Sequence, residues 1–143
     1  MRSLALAVAT LALTGCVSVD ARGIKADLAC PAGETKQDVA QLFFGRNIGT
    51  EVGVSEVDFT RFLDEVVTPR FPDGLTVVDG QGRWLYQGVD YHEPSKVVTL
   101  NLAYPGDRAK LAEIAAAYEA RFRQDAVLIM VRPTCVLFHM AKP

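Results

Sequence analysis

Two stretches of this chain repeat apolar residues every three to four positions, and four others pack β-branched and aromatic residues into short runs. The order of these six segments constrains the fold more than any other feature. In "SEVDFTRFLDEVVTPRF" (55–71), Phe59, Phe62, Leu63, Val66 and Val67 fall on one side of a helix. Ser55, with Asp58 three residues on, forms a variant of the capping box, and Pro69 stops the pattern. A second helix follows Pro105-Gly106, with Asp107 placed to cap it and Leu111, Ile114, Ala115, Tyr118 and Phe122 forming one stripe.

The strand-like runs are "QLFFGRNI" (41–48), bending at Gly45, and "LTVVDGQGRWLY" (75–86), which runs into a turn or short hairpin around residues 79–82. "SKVVTLNLAY" (95–104) and "AVLIMV" (126–131) complete the set, the last interrupted by Pro133 and resumed through "CVLF". Strand, helix, strand, strand, helix, strand is the ferredoxin-like βαββαβ order. It predicts an α+β domain with a four-stranded antiparallel sheet and both helices on one face. The other face is left uncovered, yet Val97 and Thr99 of the third run lie opposite Val98 and Leu100, and the fourth run is apolar on both sides. Such a face forms either a homodimer interface or the floor of a ligand site, unless residues 132–143 fold back over it.

The chain opens with Arg2 and an apolar, small-residue stretch from Leu4 to Leu13, the layout of a secretory signal. This run reaches about half of the roughly 20 residues needed to cross a bilayer. Leu13-Thr14-Gly15-Cys16 resembles the lipobox of bacterial lipoproteins, in which Cys16 takes a diacylglyceryl thioether and becomes the first residue of the mature protein. Residues 1–15 are thus expected to be a lipoprotein signal peptide, 16–36 a tether, and 37–143 a single domain. The absence of an aspartate directly after Cys16 points, by resemblance to Gram-negative sorting, to a lipid anchor in the outer membrane facing the periplasm. An ordinary signal cut elsewhere is the alternative.

Three cysteines are an odd number for an exported chain. Lipidation consumes Cys16 and leaves Cys30 and Cys135 as a pair in an oxidising compartment. In the expected topology the first and last strands lie side by side and antiparallel, which brings both cysteines to the same end of the sheet. Two unpaired thiols are the alternative. The net charge of −2 and the lack of any lysine or arginine cluster argue against nucleic acid as a partner.

The densest polar stretches are "TPRFPDGLTVVDGQGRW" and "DYHEPSK". Arg70 and Asp73 follow the first helix, and Glu93 and Lys96 open the third strand. Together they form either a site for a small anion or carbonyl, or a salt-bridged structural clamp. Trp84 and Tyr91 are candidates to line a pocket, or else core lids. Gly80 and Gly82 lack the residues of a phosphate loop. His92 and His139 have no ligand spacing around them that matches a zinc site, and no cofactor or catalytic motif is present. "LFFG", "VSE", "FLDEVVTPRFPDGLTVVDGQGRW" and "EPSKVV" resemble the bacterial family described as domain of unknown function 3574, over about residues 40–138. That resemblance implies a small exported or lipid-anchored domain and carries no activity. The sequence favours a non-enzymatic envelope binding module over its competitors, a small periplasmic enzyme or a small-molecule-binding subunit.

Overall fold

The computed structural model describes residues 29–140. The signal peptide expected over 1–15, Cys16 and the tether up to residue 28 lie outside them. The first strand, β1 (Thr35–Gly45), begins within the segment expected as tether. A small hairpin follows, β2 (Asn47–Ile48), at the end of the run expected as strand over 41–48, and β3 (Glu51–Val52). Next come helix α1 (Glu56–Phe62), β4 (Leu75–Tyr86), β5 (Val89–Leu102), helix α2 (Asp107–Phe122) and β6 (Leu128–Val136).

The sheet order is β4-β5-β1-β6, every neighbouring pair antiparallel. This is the βαββαβ arrangement the segment order demanded, with β1 and β6 adjacent. Alternation sorts the two faces. Ala40, Leu42 and Phe44 of β1 and Val98, Leu100 and Leu102 of β5 point to the helices and are buried. There they meet Phe59, Phe62 and Val67 from the first helical segment and Leu111, Ile114, Tyr118 and Phe122 from α2. The Tyr118 ring sits edge-on at 4.7 Å from Phe44 and 5.1 Å from Phe62, a favoured aromatic geometry that adds to burial.

Local chemistry explains the element ends. Ser55 accepts from the Asp58 amide, as the capping pattern required. After Phe62 the helix widens into a π turn (Leu63–Val67), closed by the Thr68 amide donating to the Leu63 carbonyl. Pro69 has no N–H to continue an α-helical ladder, and its ring is accommodated by the wider turn. At α2 the cap differs from expectation. Gly106 is the N-cap, with φ of +92°, and Asp107 is the first helical residue, its carboxylate reaching back to accept from the Tyr104 amide.

Two strands run further than their sequence punctuation suggested. Residues 79–82 are not a turn: β4 continues through them, and the reversal occurs at Gln87-Gly88, where both residues have positive φ (49° and 80°). That is the backbone of a two-residue type I′ hairpin, whose twist matches its strands. β6 passes unbroken through Pro133, paired with Asp38. It pairs with β1 alone and so lies at the sheet edge, where a proline's missing N–H costs no ladder bond.

Cys30 and Cys135 form a disulfide with Cα atoms 5.5 Å apart, bridging the approach to β1 and the end of β6. Among the described residues, nothing blankets the face away from the helices. Val78, Leu128 and Met130 on it are 55, 58 and 38% exposed, and Leu137, Phe138 and Met140 beyond β6 are exposed as well.

Candidate functional site

Strand register brings three glycines to one end of the uncovered face. Gly45 and Gly80 both pair with Ser95, and Gly82 pairs with Glu93. Without side chains these positions form a trough. It opens into a cleft of about 690 Å³ whose walls include Phe43, Trp84, Tyr91 and Leu128 on the sheet and Arg123 and Gln124 after α2. Trp84 and Tyr91 are cross-strand partners with rings stacked at 5.5 Å and 7°.

Glu93 stands over the trough. A Cβ added to Gly45 would lie 2.5 Å from its carboxylate, so any other residue there would push Glu93 out of this position. Glu93 Oε1 accepts from the Asn47 amide at 2.7 Å, which fixes the carboxylate against β2. The Asn47 side chain donates to the His92 carbonyl at 3.3 Å, and Gln124 donates to the Asn47 carbonyl at 2.6 Å. Asn47 Oδ1 is buried with no hydrogen-bond partner among the described residues. From beneath, the Tyr118 hydroxyl donates to the Gly45 carbonyl at 2.7 Å, and burial pushes that phenol far above the ordinary tyrosine range. The floor is therefore anchored to the core, while a carboxylate and an aromatic wall line the cleft beside a buried amide oxygen. This is recognition chemistry: hydrogen-bond acceptors beside a planar apolar surface.

The polar residues singled out in the sequence do not converge. Glu93 lies in this cleft. Lys96 alternates to the opposite face, where it is buried beside the Phe59 ring and donates to Glu56 Oε2 at 2.6 Å and Asp79 Oδ1 at 2.5 Å. Its hydrogen bonds to Asp79 and Glu56 hold its pKa above the ordinary lysine range. Arg70 and Asp73 lie in a second cleft of about 460 Å³ at the other end of the sheet. There Arg70 donates to Glu113 at 3.2 Å and to the Val66 carbonyl at 2.8 Å. Lys110 donates to Asp107 at 2.8 Å and to the Arg70 carbonyl at 3.1 Å. Asp107 is desolvated, which alone would raise its pKa. The hydrogen bonds from Lys110 and the Tyr104 amide outweigh that, and the group is held below the ordinary carboxylate range.

Sequence reading found Glu93, Trp84 and Tyr91 but missed Asn47, on the short strand β2, and Gln124, in the loop after α2. It missed Gly45 as a floor because a glycine in a strand reads first as a bend.

The family model described as "Protein of unknown function (DUF3574)" matches residues 39–138. No curated protein matches the chain. Among solved structures, a phage SAM lyase in complex with S-methyl-5'-thioadenosine superposes with a TM-score of 0.56 at 14% identity, covering 74% of this chain and 93% of that one. Its apo state gives 0.54, also at 14% identity, over 82% of this chain and 100% of that one. CutA from Synechococcus elongatus gives 0.48 at 11% identity, over 71% and 80%. At these identities the likeness to the lyase shows a shared fold.

Proposed function

We propose that this chain, which belongs to the DUF3574 family, is a lipid-anchored module of the cell envelope that binds a small ligand on the uncovered face of its sheet. The observation that carries the binding role is the glycine-floored cleft, in which Glu93 and Asn47 Oδ1 stand beside the Trp84–Tyr91 stack. These groups suit a ligand with a flat ring and outward N–H or O–H donors. Phage SAM lyase, whose structure holds a nucleoside thioether, lends the idea a precedent on the same fold.

The anchoring role rests on Leu13-Thr14-Gly15-Cys16 and is supported by a disulfide suited to an oxidising compartment. Outer-membrane placement follows from the residues after Cys16.

The test of binding is thermal shift of the full chain in non-ionic detergent against nucleosides and other ring-bearing metabolites. A ligand at 100 times its Kd stabilises by about 2.7 kcal/mol. Trp84→Ala and Glu93→Gln are expected to abolish that shift while changing the ligand-free Tm little. Binding unaffected by both changes would remove the cleft from consideration. For the anchor, mass spectrometry of the native protein is expected to find an N-terminal diacylglyceryl Cys16, and an unmodified thiol there would overturn it.

The exposed Val78, Leu128 and Met130 on the same face favour a second reading, a homodimer packed through the sheet. Sedimentation of the full chain in detergent across a hundredfold concentration range separates the two. A constant monomer mass removes the dimer.

A further inference from the structure

The cleft at the opposite end of the sheet has a chemistry of its own. Asn101 on β5 and Gln37 on β1 both lie on the uncovered face, two residues apart in the register that pairs Val39 with Asn101, so they are diagonal neighbours across the strands. Asn101 Oδ1 and Gln37 Oε1 are each buried, and neither has a hydrogen-bond partner among the described residues. Both side chains line the cleft. Buried acceptors left without donors are uncommon and cost stability, and two converging in one cavity mark a place built for a donor.

The rest of the lining narrows the donor's class. The positive charges are already engaged, Arg70 by Glu113 and the Val66 carbonyl, Lys110 by Asp107 and the Arg70 carbonyl. Asp73 stands exposed at the rim, close enough to Tyr104 to hydrogen-bond its hydroxyl. Pro72, Ala103 and Phe138 supply apolar wall. The cleft thus carries two unsatisfied acceptors, a negative charge at its rim, and greasy walls.

We propose that this end cleft binds a small primary amine, whose ammonium group donates to Gln37 Oε1 and Asn101 Oδ1 with Asp73 as countercharge and whose apolar chain lies against Pro72 and Phe138. The site is separate from the glycine-floored cleft, and its occupancy does not depend on that cleft's ligand.

The experiment uses the full, ¹⁵N-labelled chain in non-ionic detergent, titrated with n-butylamine, n-butanol and butyrate at neutral pH. The expected result is a Kd for butylamine at least tenfold below that for butanol, no binding of butyrate, and shifts in the side-chain amide resonances of Gln37 and Asn101. Asn101→Leu and Gln37→Met keep side-chain volume and remove the orphan oxygen. Each is expected to weaken butylamine at least tenfold without lowering the ligand-free Tm. Asp73→Asn is expected to weaken it several-fold. Equal affinity for amine and alcohol, or unchanged amine affinity in both amide variants, would overturn the proposal. So would a lower Tm in both variants, since that outcome means the oxygens already serve the fold. If Asn101→Leu fails to fold, Gln37→Met alone decides.

Discussion

Asp107 shows how one side chain can set a loop and a helix together. The residue is 1% exposed, and its carboxylate accepts from the Tyr104 amide at 2.9 Å and pairs with Lys110 at 2.8 Å. A hydrogen bond to a charged group contributes about 1.5–3 kcal/mol, so Asp107→Asn, which keeps the shape and loses the charge, is expected to cost about 2 kcal/mol in urea unfolding at pH 7. The pH dependence follows from the direction of the shift. The folded-state pKa lies below the unfolded value of about 3.9, so the contribution is complete above that value and is lost as pH falls through the folded pKa. Wild-type and Asp107→Asn stabilities should therefore converge below about pH 4, and a gap that persists into that range would rule out the charge as its source. Lys96 makes the opposite case. Its ammonium is buried, but Glu56 and Asp79 are largely exposed, so removing it strands no buried carboxylate. Lys96→Met is expected to change stability by no more than about 1 kcal/mol, because an apolar residue of similar length replaces a desolvated ion. A loss above about 3 kcal/mol would show the clamp to be indispensable.

At the scale of elements, the long β4–β5 hairpin positions both Trp84 and Glu93, and its geometry depends on a two-residue turn. Gly88, with φ of +80°, occupies a conformation that costs a residue with a Cβ about 1 kcal/mol or more. Gly88→Ala is expected to lower stability by about that amount and to weaken the Trp84–Tyr91 stack, read as lost near-ultraviolet circular dichroism from the single tryptophan. An unchanged signal would mean that the strands hold their register without the turn. This hairpin is also where sequence reading reached furthest astray. Gly80 and Gly82 looked like a turn because glycine punctuates, whereas here they are strand residues, and Gly82 lines the cleft. Gln87-Gly88 carries a weaker turn signature, and only the pairing of Trp84 with Tyr91 and Asp79 with Lys96 reveals it. Helical periodicity, by contrast, was fully legible: each residue of the stripe from Leu111 to Phe122 is buried. Period alone decides which side of a helix meets a core, but it is silent on which short hairpins and loops fold over a sheet's far end. That is why Asn47 and Gln124 escaped notice.

For the molecule as a whole, the decisive link is the one between its two ends. Cys30 and Cys135 are 105 residues apart, so their bridge closes nearly the whole domain into a single loop. In the chain-entropy treatment a loop of about 100 residues is worth about 4.7 kcal/mol, against a total stability of about 5–15 kcal/mol for a domain of ordinary size. The bridge also reinforces the weakest edge of the sheet, since β6 pairs with β1 alone. Reduction should act globally and locally at once. Paired cysteine-to-serine substitution, or a reducing agent, is expected to lower unfolding stability by about 3–5 kcal/mol. Amides of Leu128–Val136 should then exchange sooner than those of β5, which is flanked on both sides. A change below about 1 kcal/mol, with β6 still as protected as β5, would mean that packing alone holds the edge strand. The same arithmetic ties the fold to its redox state, because a contribution of about 3–5 kcal/mol is about a fifth or more of the stability of an ordinary domain, and reduction is expected to remove it.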